Sequence, residues 1–275
     1  PVTVAPVHPA PSPLKAVGWT ILFLVLGFVL TLAVGAGGFA IAGAAPDPAN
    51  PTTRDLVVQT VAGLAGFGVV TWMLGVRVLR LTAADLRWAP LATAGRGFGL
   101  GIVLGALPAV VALGLSVPLG HAQFLRDAGG PLVYLRQVGL TALILAPAAL
   151  VEELMFRGVG QVVLARAFGR LPAILLLSVL FALAHIFNPN PTALGLVNIA
   201  LAGVFLGLAF YAPGGIWTAW GAHLGWNATL AALDAPVSGF PLKIPWIDYE
   251  PGGPVWLTGG SFGPEGGLLA SATLV

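Results

Sequence analysis

Two adjacent glutamates, Glu152 and Glu153, stand out because they follow a long uncharged stretch. The residues from Gln137 to Val151 (QVGLTALILAPAALV) carry no charge, and EELMFRG follows them. An ionisable side chain at the centre of a bilayer costs roughly 2.5–3.5 kcal/mol on insertion scales, so such residues are rare there and usually functional. On a helix, Glu153 and Arg157 are spaced to form an ion pair, whereas Glu152 points about 100° away. The spacing predicts a structural carboxylate, Glu153, and a reactive one, Glu152.

Two later pairs of residues have the same four-residue spacing. The segment FALAH holds Phe181 and His185, and the segment HLGWN holds His223 and Asn227. This spacing puts both members of each pair on one helix face. Taken singly, each His would be a packing residue and Asn227 a helix–helix hydrogen bond. Because the polar groups recur on three apolar stretches together with the glutamates, we expect them to share one functional site.

These groups allow two kinds of hydrolytic chemistry. A carboxylate and a His can together deprotonate a water molecule, while a second His and an Asn donate hydrogen bonds to a developing oxyanion. Alternatively, Glu152, His185 and His223 could hold Zn²⁺ with an open position for water. The chain has no HExxH motif for the zinc version. It also has no Cys, so thiolate catalysis and disulfides are excluded.

The composition defines the elements that must position these residues. The chain of 275 residues is 57% hydrophobic, with a mean hydropathy of +0.95 and only 8% charged residues. Soluble domains have about 25% charged residues. The long apolar runs match the ~20 residues needed to cross a bilayer. The sequence predicts an all-α, polytopic transmembrane helical bundle, and its scattered basic residues exclude a nucleic-acid partner.

We expect about seven membrane spans, separated by Pro- and Gly-rich punctuation. Their approximate bounds are 16–44, 56–76, 97–118, 133–157, 171–187, 192–212 and 215–233. The fourth span is expected to continue as an amphipathic stretch to about Arg166. The loop 77–96 has four Arg against Asp85 alone, so the positive-inside rule predicts that this loop and the N-terminus are cytoplasmic.

Three regions follow from these bounds. Residues 1–14 are Pro-rich and predicted to be a flexible N-terminal segment. Residues 15–233 form the transmembrane helical domain. Residues 234–275 form a Gly/Pro-rich extramembrane tail, or alternatively a lid over one mouth of the bundle. Ten of the twelve basic residues are Arg, which together with the Ala, Leu and Gly content is typical of a high-GC bacterial genome. We therefore predict a multi-pass protein of the bacterial inner (plasma) membrane.

The three motifs resemble those of the CAAX prenyl protease and bacteriocin-processing (CPBP) family of intramembrane endopeptidases, also called the Abi family. EELMFR at 152–157, FALAH at 181–185 and HLGWN at 223–227 occur in the family's order. The resemblance covers about 152–233 by motif and most of the bundle by hydropathy. Each motif alone is weak, but three in order on successive apolar helices are fairly specific.

The resemblance implies a role for each matched residue. It implies that Glu152 and His185 activate the water, and that His223 and Asn227 form an oxyanion hole. It further implies that Glu153, Arg157 and Phe181 shape the site. Although Zn remains possible, we expect no cofactor, because an amide is a poor Zn²⁺ ligand and a good hydrogen-bond donor.

The expected partners are membrane lipid and a peptide or protein substrate with a membrane-associated C-terminal region. The resemblance leaves that substrate open between prenylated and bacteriocin-like clients. We expect an intramembrane endopeptidase with a cytoplasm-facing site. The alternative is a non-catalytic immunity or binding protein, or a proton-coupled transporter, although no inverted repeat is evident in the sequence.

Overall fold

The computed structural model describes residues 10–43, 45–46 and 52–274. Most of the predicted N-terminal segment, residues 1–9, lies outside this range. The described helices and strands are, in chain order, α1 (Pro13–Ala42), α2 (Thr53–Val70, continued by a π-helix, Thr71–Val78), α3 (Leu91–Gly120), β1 (Gln123–Arg126), α4 (Pro131–Arg157), α5 (Val159–Phe168), α6 (Arg170–Ala184), α7 (Ala193–Tyr211), α8 (Ile216–Ala232), β2 (Ile247–Glu250), α9 (Val255–Thr258) and α10 (Leu268–Leu274).

The predicted helical bundle is confirmed, and each of the seven predicted spans coincides with a helix. Within the described residues, five helical stretches are long and apolar enough to cross a membrane, and α6 is a shorter apolar helix. The expected continuation of the fourth span is α5, which follows α4 after a break at Gly158. The two-stranded antiparallel ribbon of β1 and β2 was not predicted.

Local signals in the sequence explain where several helices begin and end. Thr52 and Asp55 form a reciprocal capping box at the start of α2, which satisfies two backbone N–H groups that lack helical partners. The Thr192 hydroxyl accepts from the Gly195 N–H at the start of α7. Gly43 ends α1 with a left-handed backbone (φ 67°), a conformation that glycine adopts without strain.

Close packing between α3 and α8 fixes the helix that carries His223 and Asn227. Gly101 and Gly105 of α3 lie directly against the α8 backbone, where a Cβ on either would collide with a carbonyl oxygen of Thr218 or Ala222. Small residues let membrane helices approach this closely. The contact therefore sets the depth and rotation of α8 in the bundle.

One end of the bundle, which we call the basic end, is held together by arginines. Arg87 donates to the carbonyl oxygens of Phe210, Tyr211 and Ala212 at the end of α7, and Arg166 pairs with Asp85. Of the described charged residues, seven basic ones and one acidic one lie toward this end. They are Lys15, Arg77, Arg80, Arg87, Arg96, Arg166, Arg170 and Asp85.

The opposite end is covered by the C-terminal segment (residues 234–274). Its strand β2 pairs with β1. Tyr249 is buried near the C-terminal end of α3, where its hydroxyl donates to the Ser116 hydroxyl. Asn198 of α7 donates to the carbonyl oxygens of Glu265 and Gly267 at 2.7 and 2.9 Å. The segment is therefore packed onto α3, α7 and α8 despite its Gly- and Pro-rich composition.

Candidate active site

The glutamate pair near the end of α4 divides as its spacing predicts. Glu153 is fully buried, and its Oε1 lies 3.3 Å from Arg157 Nη1. The same oxygen lies 2.8 Å from Nδ1 of His223 on α8. The sequence did not predict this second contact. Because a carboxylate paired with Arg is an acceptor, Nδ1 carries the proton. Glu153 thus fixes the orientation of His223 and leaves its Nε2 free.

Arg157 and Phe181 pack against each other beneath the two imidazoles. Arg157 is buried, and its guanidinium carbon lies 4.5 Å from the centroid of the Phe181 ring. It also donates to the carbonyl oxygen of Gly203 at 3.4 Å. The Phe181 centroid lies 4.7 Å from that of His185 and 6.0 Å from that of His223. A buried cation over an aromatic face is stabilised by the ring quadrupole, so Phe181 connects the buried charge to both imidazoles.

His185 caps the C-terminal end of α6 with a defined ring orientation. Its Nδ1 lies 2.7 Å from the carbonyl oxygen of Phe181. A carbonyl only accepts, so Nδ1 donates and the other ring nitrogen faces outward. That Nε2 lies 3.9 Å from Oε2 of Glu152, and Nε2 of His223 lies 3.8 Å from the same oxygen. Both imidazoles therefore present a free nitrogen to one carboxylate.

Glu152 is the carboxylate left without a partner. Its side chain is 34% exposed, yet its Oε2 is shielded from solvent and makes no hydrogen bond to any described residue. Distances of 3.8 and 3.9 Å exceed a direct N–H···O bond, which is about 2.9 Å. A polar gap of this width fits a water that donates to Glu152 and to one of the two imidazoles.

Glu152 opens into a cavity of about 370 Å³. His185, His223 and Asn227 line it on one side, and apolar side chains of α1, α2 and α4, such as Phe28, Leu56 and Ile144, line the other. Asn227 is half-buried, one turn beyond His223, with its amide at the cavity wall. The structure thus brings all four predicted catalytic residues to one chamber, with the three site-shaping residues packed behind them.

The zinc alternative can be tested against the donor geometry. Both imidazoles are anchored through Nδ1, an arrangement that metal-binding His residues share. However, zinc ligands about 2.0–2.2 Å from a tetrahedral ion lie roughly 3.2–3.6 Å apart, and the Glu152–His distances are longer. In the part of the chain that the structure describes, no group of three or more His, Cys, Asp or Glu side chains is placed to hold a metal ion. As placed, the Glu152 oxygen and the two imidazole nitrogens are spaced more widely than the ligands of a tetrahedral Zn²⁺.

The site lies toward the end of the bundle that the C-terminal segment covers. His185 ends α6 at that side, and Ser238 and Phe240 of the segment line the Glu152 cavity. The predictions of a cytoplasmic basic end and a cytoplasm-facing site therefore contradict each other. Glu152 is near the end of α4, but α5 extends the same span to Phe168, which places Glu152 away from the basic end.

Residues of the C-terminal segment also reach the site, which the motifs did not indicate. Glu265 is buried and accepts a hydrogen bond from Trp226, the neighbour of Asn227. Burial raises the pKa of Glu265 above its ordinary value, although hydrogen bonds from Ser238 act in the opposite direction. The only signal in the sequence is an acidic residue isolated in a Gly- and Pro-rich stretch (GPEGG).

The fold and site define a helical membrane protein with a carboxylate–imidazole–amide centre. Residues 134–229, which extend from α4 to α8 and include all three motifs, match the family described as type II CAAX prenyl endopeptidase Rce1-like. The match supports the family expected from the motifs, over the part of the chain that carries them. Together with the apolar helices, it points to a membrane protease. No curated protein and no solved structure matches the chain.

Proposed function

We propose that the chain is an intramembrane endopeptidase that hydrolyses a peptide bond of a membrane-associated substrate through a water activated by Glu152 and His185. The observation that carries this proposal is the unpartnered Oε2 of Glu152, which faces the Nε2 atoms of His185 and His223 at 3.9 and 3.8 Å. A carboxylate within reach of a water and a polarised carbonyl is the arrangement that general-base catalysis needs.

The proposed reaction gives Glu152 and the other groups the following roles. Glu152 takes a proton from the water as its oxygen bonds to the carbonyl carbon of the substrate. With both of its ring nitrogens protonated, His223 donates through Nε2–H to the oxyanion that forms, and the Asn227 amide donates to it as well, which lowers the barrier. Proton transfer through Glu152 or His185 to the amide nitrogen then breaks the C–N bond. The products are a carboxylate and an amine, and no electrons are exchanged with a cofactor.

Glu153 and Arg157 support this chemistry from behind. The bond from His223 Nδ1 to Glu153 holds Nε2 toward Glu152 and stabilises the imidazole when both nitrogens carry protons. In that form His223 donates to the oxyanion. The distances from Oε2 of Glu152 to Nε2 of His185 and of His223 favour this mechanism without a metal. Elemental analysis of protein purified without chelator tests this assignment, and stoichiometric zinc would overturn it.

The apolar wall of the cavity supports a lipid-like or hydrophobic substrate. Three helices contribute Phe28, Leu56, Ile144 and Leu145 to it, so a segment that enters from the bilayer meets an apolar surface before it reaches Glu152. Prenylated and bacteriocin-like segments both have this character. The proposed partners are membrane lipid and such a peptide, and nucleic acid is not among them.

We further propose that the protein lies in a bacterial inner membrane with its N-terminus and basic end in the cytoplasm. The surplus of arginines at that end supports this orientation by the positive-inside rule. The site then opens toward the extracytoplasmic side.

The chain has no native Cys, so single cysteines can report this orientation without background. In intact cells, a membrane-impermeant maleimide is expected to label Ser261→Cys in the C-terminal segment but not Ala83→Cys at the basic end. Both positions are exposed. Labelling of Ala83→Cys but not of Ser261→Cys would show the opposite orientation and contradict the proposal.

The function itself is tested by comparing the membrane proteomes of cells that express the wild type and the Glu152→Gln variant. Cleaved fragments that depend on Glu152 would identify both the activity and the substrate. Identical proteomes, together with pH-coupled flux in proteoliposomes, would favour the transporter alternative instead.

A further inference from the structure

Glu265 is a second buried carboxylate, and it lies outside the catalytic motifs. It comes from a 3₁₀ turn of the C-terminal segment, Pro264–Gly266, and is 5% exposed. Among the described residues it has no ion-pair partner within 4.0 Å. Burying a carboxylate without a cation is unfavourable unless hydrogen bonds compensate, so its placement requires an explanation.

Three donors compensate for the burial of Glu265. Trp226 Nε1 donates to its Oε1 at 3.1 Å, and the Ser238 hydroxyl donates to its Oε2 at 3.1 Å. The Ser238 backbone N–H donates to the same Oε2. All three donors belong to residues next to the site: Trp226 precedes Asn227 on α8, and Ser238 lines the Glu152 cavity. Glu265 therefore links two parts of the C-terminal segment, its own turn and Ser238, to Trp226 of α8.

Glu265 also lies close to the predicted catalytic residues. It lines a small cavity of about 30 Å³ together with Ser238, His185, His223 and Asn227. The last four residues also line the Glu152 cavity. The two cavities thus share the two imidazoles, the amide and Ser238, and Glu152 lines one cavity while Glu265 lines the other. A change at Glu265 therefore acts next to His185, His223 and Asn227 without altering Glu152.

We propose that Glu265 is a positioning residue of the active site, which holds Trp226 and Ser238 so that Asn227 points its amide at the oxyanion. This inference rests on the proposed function. Glu265 does not touch the substrate. It acts through the α8 turn, and a displacement of about 1 Å at such a turn is enough to lower a rate by about 100-fold.

The test compares Glu265→Gln with Glu250→Gln, an exposed acidic residue of the same segment. A glutamine side chain cannot accept from all three donors, because its NH₂ group is itself a donor. With an internally quenched farnesylated CAAX peptide and protein in proteoliposomes, we expect Glu265→Gln to lower kcat by about ten- to a hundredfold with KM within about twofold. Glu250→Gln is expected to match the wild type.

A double-mutant cycle separates positioning from a purely structural role. If Glu265 acts through Asn227, adding Glu265→Gln to Asn227→Ala lowers kcat by less than about twofold more. Effects that multiply in full would overturn the proposal. If Glu265→Gln does not fold, Trp226→Phe takes its place in the same cycle, since it removes one donor and keeps the carboxylate. Unchanged kcat in a folded Glu265→Gln or Trp226→Phe variant would also overturn it.

Failure of this inference can be distinguished from failure of the proposed function. Glu152→Gln is measured in the same vesicles with the same peptide. Full activity of Glu152→Gln contradicts the proposed function. Loss of activity in Glu152→Gln with normal kcat in Glu265→Gln contradicts only the role of Glu265.

Discussion

The two ends of the bundle use their charged residues differently. At the basic end, Arg87 bonds to backbone carbonyls and Arg166 pairs with Asp85 near the surface, with side chains 27% and 32% exposed. From the middle of the bundle toward the opposite end, Glu153 and Glu265 are buried, and Glu152 has an oxygen without a partner. Charges near water hold loops and set orientation at little cost, whereas buried charges are expensive and mark function. Under the proposed function, the difference separates an end that sets orientation from the part of the bundle that carries the chemistry.

Removing an imidazole should show the contrast most strongly. His185→Ala deletes the ring that faces Glu152, so we expect peptide cleavage in proteoliposomes to fall by about 10²–10⁴-fold, the usual contribution of general acid–base catalysis. Asp85→Asn, the matched change at the basic end, should keep the rate within about twofold. Equal losses in both variants would mean that the two ends do not divide the work in this way.

The two ion pairs should differ in what they contribute to stability. Arg157→Met leaves Glu153 buried with only His223 as a partner, and breaking such a pair typically destabilises a protein by about 3–5 kcal/mol. Arg166→Gln breaks a pair near the surface and should cost no more than about 1 kcal/mol. Thermal unfolding in detergent micelles measures both. Similar shifts in Tm for the two variants would remove the distinction.

The pH dependence of stability should have opposite sign at the two ends. Partial burial works against ionisation of Asp85, but hydrogen bonds from Thr82 and the charge of Arg166 outweigh it and lower the pKa below 3.8. The stability that Asp85 contributes is therefore present above pH 3.8 and is lost as pH falls through its folded pKa.

Burial raises the pKa of Glu265 above 4.5. The stability linked to its protonated form is present below pH 4.5 and is lost as pH rises through the folded pKa. Tm is measured against pH for the wild type, Asp85→Asn and Glu265→Gln. The advantage of the wild type over Asp85→Asn should shrink toward low pH, whereas its Tm relative to Glu265→Gln should fall as pH rises from 4.5. Parallel curves for all three would contradict both assignments.

Much of the fold and part of the site followed from the sequence. Hydropathy located α1 to α4 and α6 to α8. The four-residue spacing identified which residues share a helix face. The contact between His223 and Glu153 could not be predicted, because the backbone packing of α8 on Gly101 and Gly105 of α3 sets it. The C-terminal segment has no helical or strand periodicity in its sequence. Its Gly and Pro content therefore gave no sign that Glu265 would be buried beside His185, His223 and Asn227.

The most direct test of the central claim is the cleavage rate of purified Glu152→Gln in proteoliposomes. Glutamine keeps the size of the side chain but cannot accept a proton from water. We predict a kcat at least about 10²-fold below that of the wild type, with Tm unchanged. A folded Glu152→Gln variant that cleaves the farnesylated CAAX peptide at the wild-type rate would contradict the assignment of Glu152 as the base.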